Sequence, residues 1–456
     1  MVTCLQTVNP FTRDANPTLP VTPIANMDAI VARARVAGAQ WMALSVSERV
    51  ERLEGAAARL QEEASRLGAI ASSEMGKPLG EAVGEAKHCA SSFVEDLRSV
   101  ASALAPIKRE DERVSSTICF DPFGVVAAIT PWNFPILMLQ QSVLPALIAG
   151  NAVVAKPSEV TPRVAEAYYG ILNEFLPVDL LAIVIGDGAQ GRALVASSVD
   201  LVVFTGSRNT GAHIAAEAGK RLARVILELG GKDPMIVLAD ADVGKAADFA
   251  SRNSFRNAGQ VCVSTERIYV DHSIAAEFEN ALVERAATLK MGDPADPTTT
   301  IGPMSSARQK AIVESHIADA IARGARVLYG ARKQAGNFVE PTVLAGVDHS
   351  MDIMREETFG PVACVMAFGS IDEAVALAND SPFGLGAAVF GADEDRAMRV
   401  AQRLTAGMVG VNQGCGGASE CPWVGARQSG LGFHSGPEGH RQFAQLRVLT
   451  RKKPKS

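Results

Sequence analysis

The chain reads as an α/β protein built from two parallel-sheet halves, and three observations carry that prediction. Short apolar runs alternate with helical stretches from residue 125 onward. A second such series starts just after the paired glycines Gly230-Gly231. The chain also has 456 residues, more than one hydrophobic core covers. Strands alternating with helices form a parallel sheet covered on both faces, an arrangement that binds dinucleotides.

The first hundred residues read as helices. Residues 29–43 and 47–68 place apolar side chains three and four apart between charged ones, with Ser47 as the expected cap of the second. Residues 114–118 suit an exposed strand. The first α/β series has strands at 125–129, 152–155, 181–184 and 201–204, with helices at 137–149, 163–175, 189–196 and 210–218. The second has strands at 234–238, 267–270, 362–366 and 387–390, with helices at 243–257 and 274–289. Residues 292–303, rich in Pro, Asp and Thr, are a connection. Residues 122–155 carry no charged side chain and are long enough to span a bilayer. Pro131, Asn133, Pro135, Pro145, Gly150 and Asn151 interrupt them and would leave backbone groups unpaired in lipid. Strand, loop, helix and strand, buried in protein, is the expected reading, with no membrane partner.

A hydrophobic content of 47% with 21% charged residues is ordinary for a globular protein, and the net charge of -6 argues against nucleic acid as partner. The basic stretch Arg451-Lys452-Lys453-Pro454-Lys455 is read as a solvated end. Seven cysteines, an odd and scattered set, suit reduced thiols in the cytoplasm rather than a disulfide framework. The N-terminus lacks a basic start followed by an apolar core, so no signal peptide is expected. Neither cysteines nor histidines show zinc spacing, so no metal is expected.

The segments Pro131-Trp132-Asn133-Phe134-Pro135, Glu228-Leu229-Gly230-Gly231-Lys232 and Gly259-Gln260-Val261-Cys262 carry the chemistry. A thiol attacking a carbonyl needs a donor for the developing oxyanion, an acceptor for the departing hydride and a base to release the product. Taken singly, each segment has a plain structural explanation. Cys262 could be a small apolar filler, Asn133 a turn former, and Glu228 a buried carboxylate paired with Lys232. Together, in this order, they resemble the NAD(P)-dependent aldehyde dehydrogenase superfamily of the hydrolytic, non-acylating type, and the resemblance covers nearly the whole chain.

The resemblance implies that an aldehyde is oxidised to its acid. Cys262 would be the nucleophile, Asn133 and the Cys262 N–H the oxyanion donors, and Glu228 the base that activates water. It also implies a cofactor surface. The turn after a strand supplies Ile129, Thr130, Pro131 and Trp132, while Lys156, Ser158 and Glu159 match the adenosine-ribose side. Phe204-Thr205-Gly206-Ser207 matches the pyrophosphate-side turn, where helix N–H groups face the anion. Leu229 follows the base, and Glu357 and Phe359, in Glu356-Glu357-Thr358-Phe359-Gly360-Pro361, match the nicotinamide-ribose segment. An acid at 159 accepts from a 2′-hydroxyl and repels a 2′-phosphate, so NAD is expected over NADP. Gly186-Asp187-Gly188-Ala189-Gln190-Gly191 has the dinucleotide-loop form but is expected to be a connecting turn.

The expected architecture is a Rossmann-like NAD-binding domain (residues 1–103 and 122–230), a catalytic α/β domain (231–432) and a small β oligomerisation arm (104–121 and 433–456) of a homodimer or homotetramer. Two departures from the family pattern stand out: Pro422-Trp423-Val424-Gly425 replaces Pro-Phe-Gly-Gly, and Ser264-Thr265 follows Cys262-Val263 where the family usually has Ala or similar. Residues 136–142 hold no arginine for a substrate carboxylate, which favours an apolar or aromatic aldehyde over succinate semialdehyde. Glu228 argues against the CoA-acylating relatives, and the intact trio argues against a non-catalytic binding protein.

Overall fold

Val125–Ile129 and Ala152–Lys156 are buried along their whole length, as unbroken Val/Ala/Ile runs are when both faces of a sheet are covered. In the computed structural model, which describes residues 3–418 and 420–454, they are the middle of a parallel sheet. Its strands are β1 (Val125–Ile129), β2 (Ala152–Lys156), β3 (Leu181–Ile183), β4 (Leu201–Thr205) and β5 (Arg224–Glu228), in spatial order β3-β2-β1-β4-β5. The chain steps outward from β1 to β3, then returns to the far side of β1. The crevice between the carboxyl ends of β1 and β4 is therefore a topological switch point, where such sheets hold ligands. An antiparallel edge strand, Gly430–Leu431, sets Gly430 opposite Glu228.

The second sheet comprises β6 (Asp233–Val237), β7 (Thr265–Asp271), β8 (Arg326–Tyr329), β9 (Thr342–Ala345), β10 (Val362–Phe368), β11 (Gly386–Phe390) and β12 (Met408–Val411). Their order is β8-β9-β10-β7-β6-β11-β12, with β8 alone antiparallel. Each sheet has its own apolar core, one around Val126, Leu144 and Val203, the other around Ile236, Val270 and Val365. A third, antiparallel sheet joins Ile107–Glu110, Val114–Pro122 and Ala444–Lys452. Its outer strand leaves Leu446, Val448 and Leu449 exposed. Of the basic C-terminal stretch, Lys455 lies outside the described residues.

The uncharged stretch from 122 to 155 is strand, turn, helix Pro135–Ile148 and strand, all within the first core. No helix among the described residues is long and apolar enough to cross a membrane. Several element boundaries differ from expectation. Ser45, not Ser47, caps the second helix, through a reciprocal pair with Glu48, and Gly55 divides it into Val46–Glu54 and Ala56–Met75. Val243–Phe255 stops short of residue 257 because Asn257 and Ala258 take left-handed backbone angles. Sequence reading passed over β5, β8, β9 and β12. The first begins and ends on charged residues, and the other three are only four residues long.

Candidate active site

β1 ends at Ile129 and releases the chain into the switch-point crevice through Thr130, Pro131 and Trp132. Pro135 then opens the helix Pro135–Ile148, a position where its missing N–H costs nothing. Asn133 sits between strand and helix, buried. Its side-chain amide donates to the carbonyl of Gln260 at 3.1 Å, and Asn257 donates its own amide to the Asn133 carbonyl at 3.1 Å. Gln260 in turn donates to the Asn257 carbonyl at 3.0 Å and accepts from the Ser305 N–H at 3.0 Å. Asn133 is thus tied directly to the turn that delivers Cys262.

That turn is strained. Asn257, Ala258 and Gly259 have φ of 53°, 55° and 70°, and a left-handed conformation costs a non-glycine residue on the order of 1 kcal/mol. The amide network holds it, and at position 259 a side chain would strike the Gly360 carbonyl. Gly231 allows a similar approach, since a Cβ there would lie 2.6 Å from the Cys262 carbonyl oxygen.

Cys262 is partly covered. Loss of bulk water pushes its thiol up to about 12, and the nearby carboxyls of Asp233, Glu228 and Glu357 add to the shift. Glu228, the last residue of β5, is 3% exposed, and neither carboxyl oxygen has a hydrogen-bond partner among the described residues. Burial holds its carboxyl well above the usual range, with the Trp423 indole opposing the shift. Lys232 is not its partner: that ammonium is buried against Glu266. Three carboxyl groups, those of Asp233, Glu228 and Glu357, therefore lie near one thiol.

The expected cofactor residues lie at the carboxyl ends of β1, β2, β4 and β5 and just before β10. Thr130 donates its N–H to the Lys156 carbonyl at 3.2 Å, and Gly206 donates to the Glu228 carbonyl at 3.0 Å. Phe204 and Thr205 end β4, and Ser207 caps the helix Arg208–Gly219. Gly211 in that helix packs against Leu229. Lys156 pairs with Glu159 at 3.2 Å, the ammonium buried and the carboxylate half exposed, with Ser158 buried between them. Glu357 accepts from the Gly231 N–H at 3.3 Å, and burial pushes its carboxyl up to about 8. Phe359, at φ 51°, meets Trp132 edge to face with centroids 5.6 Å apart, so side chains from the two sheets close the crevice. A helix N-terminus, close-approach glycines, a cation–acid pair and an aromatic wall fit a dinucleotide. Asp187, by contrast, is used locally, capping Gly188–Ala196 in a box with Gln190.

Four neighbours of the site escaped the sequence reading. Asp233 is buried beside Cys262 with one unpartnered oxygen. Glu266 accepts from the N–H groups of Thr358 and Phe359 at 2.8 and 2.9 Å. Lys77 and Arg256 lie over the Phe134 ring, 4.0 and 5.2 Å from its centroid. A charged residue opening an apolar run was a visible signal for Asp233. The others show themselves only in the folded chain.

A model of the aldehyde dehydrogenase family matches residues 2–449. The chain belongs to that family. This aldehyde dehydrogenase is 38% identical to a probable succinate-semialdehyde dehydrogenase [NADP(+)] of Sinorhizobium fredii, over 97% of this chain and 91% of that protein. It is 37% identical to the peroxisomal aminoaldehyde dehydrogenase 1 of Pisum sativum, over 97% and 92%. The crystal structure of an aldehyde dehydrogenase from Brucella melitensis biovar abortus 2308 superposes with a TM-score of 0.95 at 34% identity, covering 99% of this chain and 95% of that one. The protein is an NAD(P)-dependent aldehyde dehydrogenase and oxidises an aldehyde to the acid.

Proposed function

We propose that Cys262, Asn133 and Glu228 carry this oxidation. The Cys262 thiol gives up its proton to water, its sulfur bonds to the aldehyde carbon, and the carbonyl oxygen becomes an oxyanion facing the Asn133 amide and the Cys262 N–H. NAD(P), when bound, would accept the hydride that leaves this carbon as the oxyanion collapses to a thioester on Cys262. Glu228 then takes a proton from water, which adds to the thioester carbon and displaces the sulfur, releasing the acid. The hydrogen bond from Asn133 to Gln260, two residues before Cys262, carries this reading. The buried, unpartnered carboxyl of Glu228 supports its role as base, because desolvation raises a carboxyl toward the range useful for proton abstraction. Rapid-mixing assays on Glu228→Gln test the scheme: a burst of NADH followed by near arrest is expected, with acyl-enzyme visible by mass spectrometry. Sustained turnover at the wild-type rate would remove Glu228 from it.

The same reading assigns residues 1–103 and 122–230 to cofactor binding, 231–432 to catalysis, and 104–121 with 433–456 to subunit pairing. Exposed apolar side chains on the outer arm strand support the last of these. Glu159, half exposed beside Lys156, supports NAD over NADP. All seven cysteines are free, which suits a reducing compartment such as the cytoplasm.

For the substrate, an aldehyde with a distal carboxylate now has more support than an apolar one. The stretch 136–142 lacks an arginine, yet the fold brings Arg256 over Phe134, two residues before that stretch. Arg256 is exposed, lies over Phe134 beside Asn133, and has no carboxylate within ion-pair distance among the described residues. Such a cation suits the tail of a semialdehyde, as in the name of the Sinorhizobium relative, and repels the cationic tail of an aminoaldehyde, as in the name of the pea relative.

A further inference from the structure

We infer that the buried ion pair Lys77–Glu85 is a positioning device for the oxyanion amide, an inference that rests on the role proposed for Asn133. The two side chains meet at 2.5 Å with exposures of 1% and 5%. Burying two charges is costly, and apolar replacements of such pairs are often as stable or more so. Stability alone therefore explains the pair poorly, whereas its contacts explain it well.

The helix Pro135–Ile148 starts with a capping problem. Phe134 occupies the cap position and has no side chain able to accept a backbone N–H. Glu85 solves it from outside, because its second carboxyl oxygen accepts from the N–H of Ile136 at 2.9 Å and of Leu137 at 3.1 Å. A carboxylate at a helix N-terminus is also favoured by the helix dipole. Lys77, neutralising that carboxylate, sets its ammonium 4.0 Å above the Phe134 ring, an attractive cation–π placement. One ion pair therefore grips the residue before Pro135 and the two after it.

Lys77 is itself anchored to both halves of the molecule. Ser72 donates to the Lys77 carbonyl at 2.7 Å, and Gly76, at φ +85°, packs against Pro303 of the catalytic half. Asn133 lies between this clamp and the Asn257/Gln260 network, so its amide is fixed from both sides. Neither Lys77 nor Glu85 lies in the motifs that carry the reacting groups. Both act through Asn133.

A double-mutant cycle tests this. Glu85→Gln should lower kcat/KM about 10- to 100-fold, part of the roughly 10²- to 10³-fold loss expected when an oxyanion donor is removed outright. NAD affinity per folded site should stay unchanged. In an Asn133→Ala background the same substitution should have almost no further effect. Additive losses, or a fully active Glu85→Gln, would overturn the inference while leaving the role of Asn133 intact. A fully active Asn133→Ala would instead remove that role and the inference with it. If Glu85→Gln does not fold, Lys77→Met/Glu85→Gln, which leaves no unpaired buried charge, takes its place in the cycle with the same two outcomes.

Discussion

Lys232 is buried against Glu266 and so leaves Glu228 without a cation, although both residues belong to the same pentapeptide. The separation has a backbone cause. Glu228 ends β5 in one sheet, and Lys232 lies just before β6 in the other, with Gly230 and Gly231 carrying the chain across. Lys232 donates to the Thr358 hydroxyl, while Glu266 accepts from the Thr358 and Phe359 N–H groups. Glu228 is left without a cation near Cys262, and burial is the main cause of its raised proton affinity.

That isolation predicts a pH signature in stability. In the native chain Glu228 titrates well above 4.5, whereas the unfolded chain releases the proton near its ordinary value. Between those limits the native state holds the extra proton, so stability falls as pH rises through the window. Glu228→Gln removes the term. Its melting temperature should exceed that of the wild type at neutral pH, with the gap closing toward pH 4. Calorimetry of both proteins across this range checks it, and a gap that widens toward acid pH would reverse the assigned sign. Turnover of the same variant should drop by about 100-fold or more, the usual share of a general base.

Legibility in the sequence followed the range of the forces involved. The strands β1, β2 and β4 were readable because they are uninterrupted apolar runs, and the three motif segments because each packs several unusual residue types together. β5 was hidden by its charged ends, although it carries Glu228. The supports of the site were hidden for another reason. Lys77 and Glu85 meet the Asn133 turn across more than fifty residues of chain, and Glu266 reaches Phe359 across more than ninety. No local period marks such pairings. The plain structural alternative for Glu228, a pair with Lys232, does not form, because proximity along the chain does not keep two residues in one sheet.

The thiol offers a second test. With Cys262 pushed up to about 12, thiolate is scarce near neutrality in the protein without cofactor. Alkylation by iodoacetamide should therefore accelerate about tenfold per pH unit between roughly pH 7 and 10, since the thiolate is the reacting form. Adding NAD, whose nicotinamide ring is cationic, should raise the rate at fixed pH. Peptide mapping would follow the modified residue, and Cys262→Ala should lose both the label and all aldehyde oxidation while keeping NAD affinity. A rate flat in pH would contradict the electrostatic picture.

Cofactor choice can be tested at one position. Lys156 and Glu159 lie 3.2 Å apart at the carboxyl end of β2, and the acid is the more accessible partner. Glu159→Gln keeps the shape and removes the charge. The ratio of kcat/KM for NAD over NADP should fall about 10-fold, in keeping with one hydrogen bond to a charged group, mostly through tighter use of NADP. An unchanged ratio measured by NAD(P)H absorbance would show that discrimination lies elsewhere.

Arg256 supplies the test of substrate class. Its guanidinium has an aromatic platform in Phe134 and no acid in ion-pair contact among the described residues, so an incoming carboxylate would not have to displace one. Arg256→Ala should raise KM for an aldehyde with a carboxylate tail by about 10- to 100-fold, the worth of a charge-assisted contact, with little change in kcat. An uncharged aldehyde of equal length should be handled alike by both proteins. Wild-type KM for the charged substrate should also climb with added salt, because an exposed cation is screened, and that climb should vanish in the variant. Equal losses on the charged and uncharged substrates would place Arg256 in the structure of the Phe134 turn, and the aldehyde would then be chosen by shape alone.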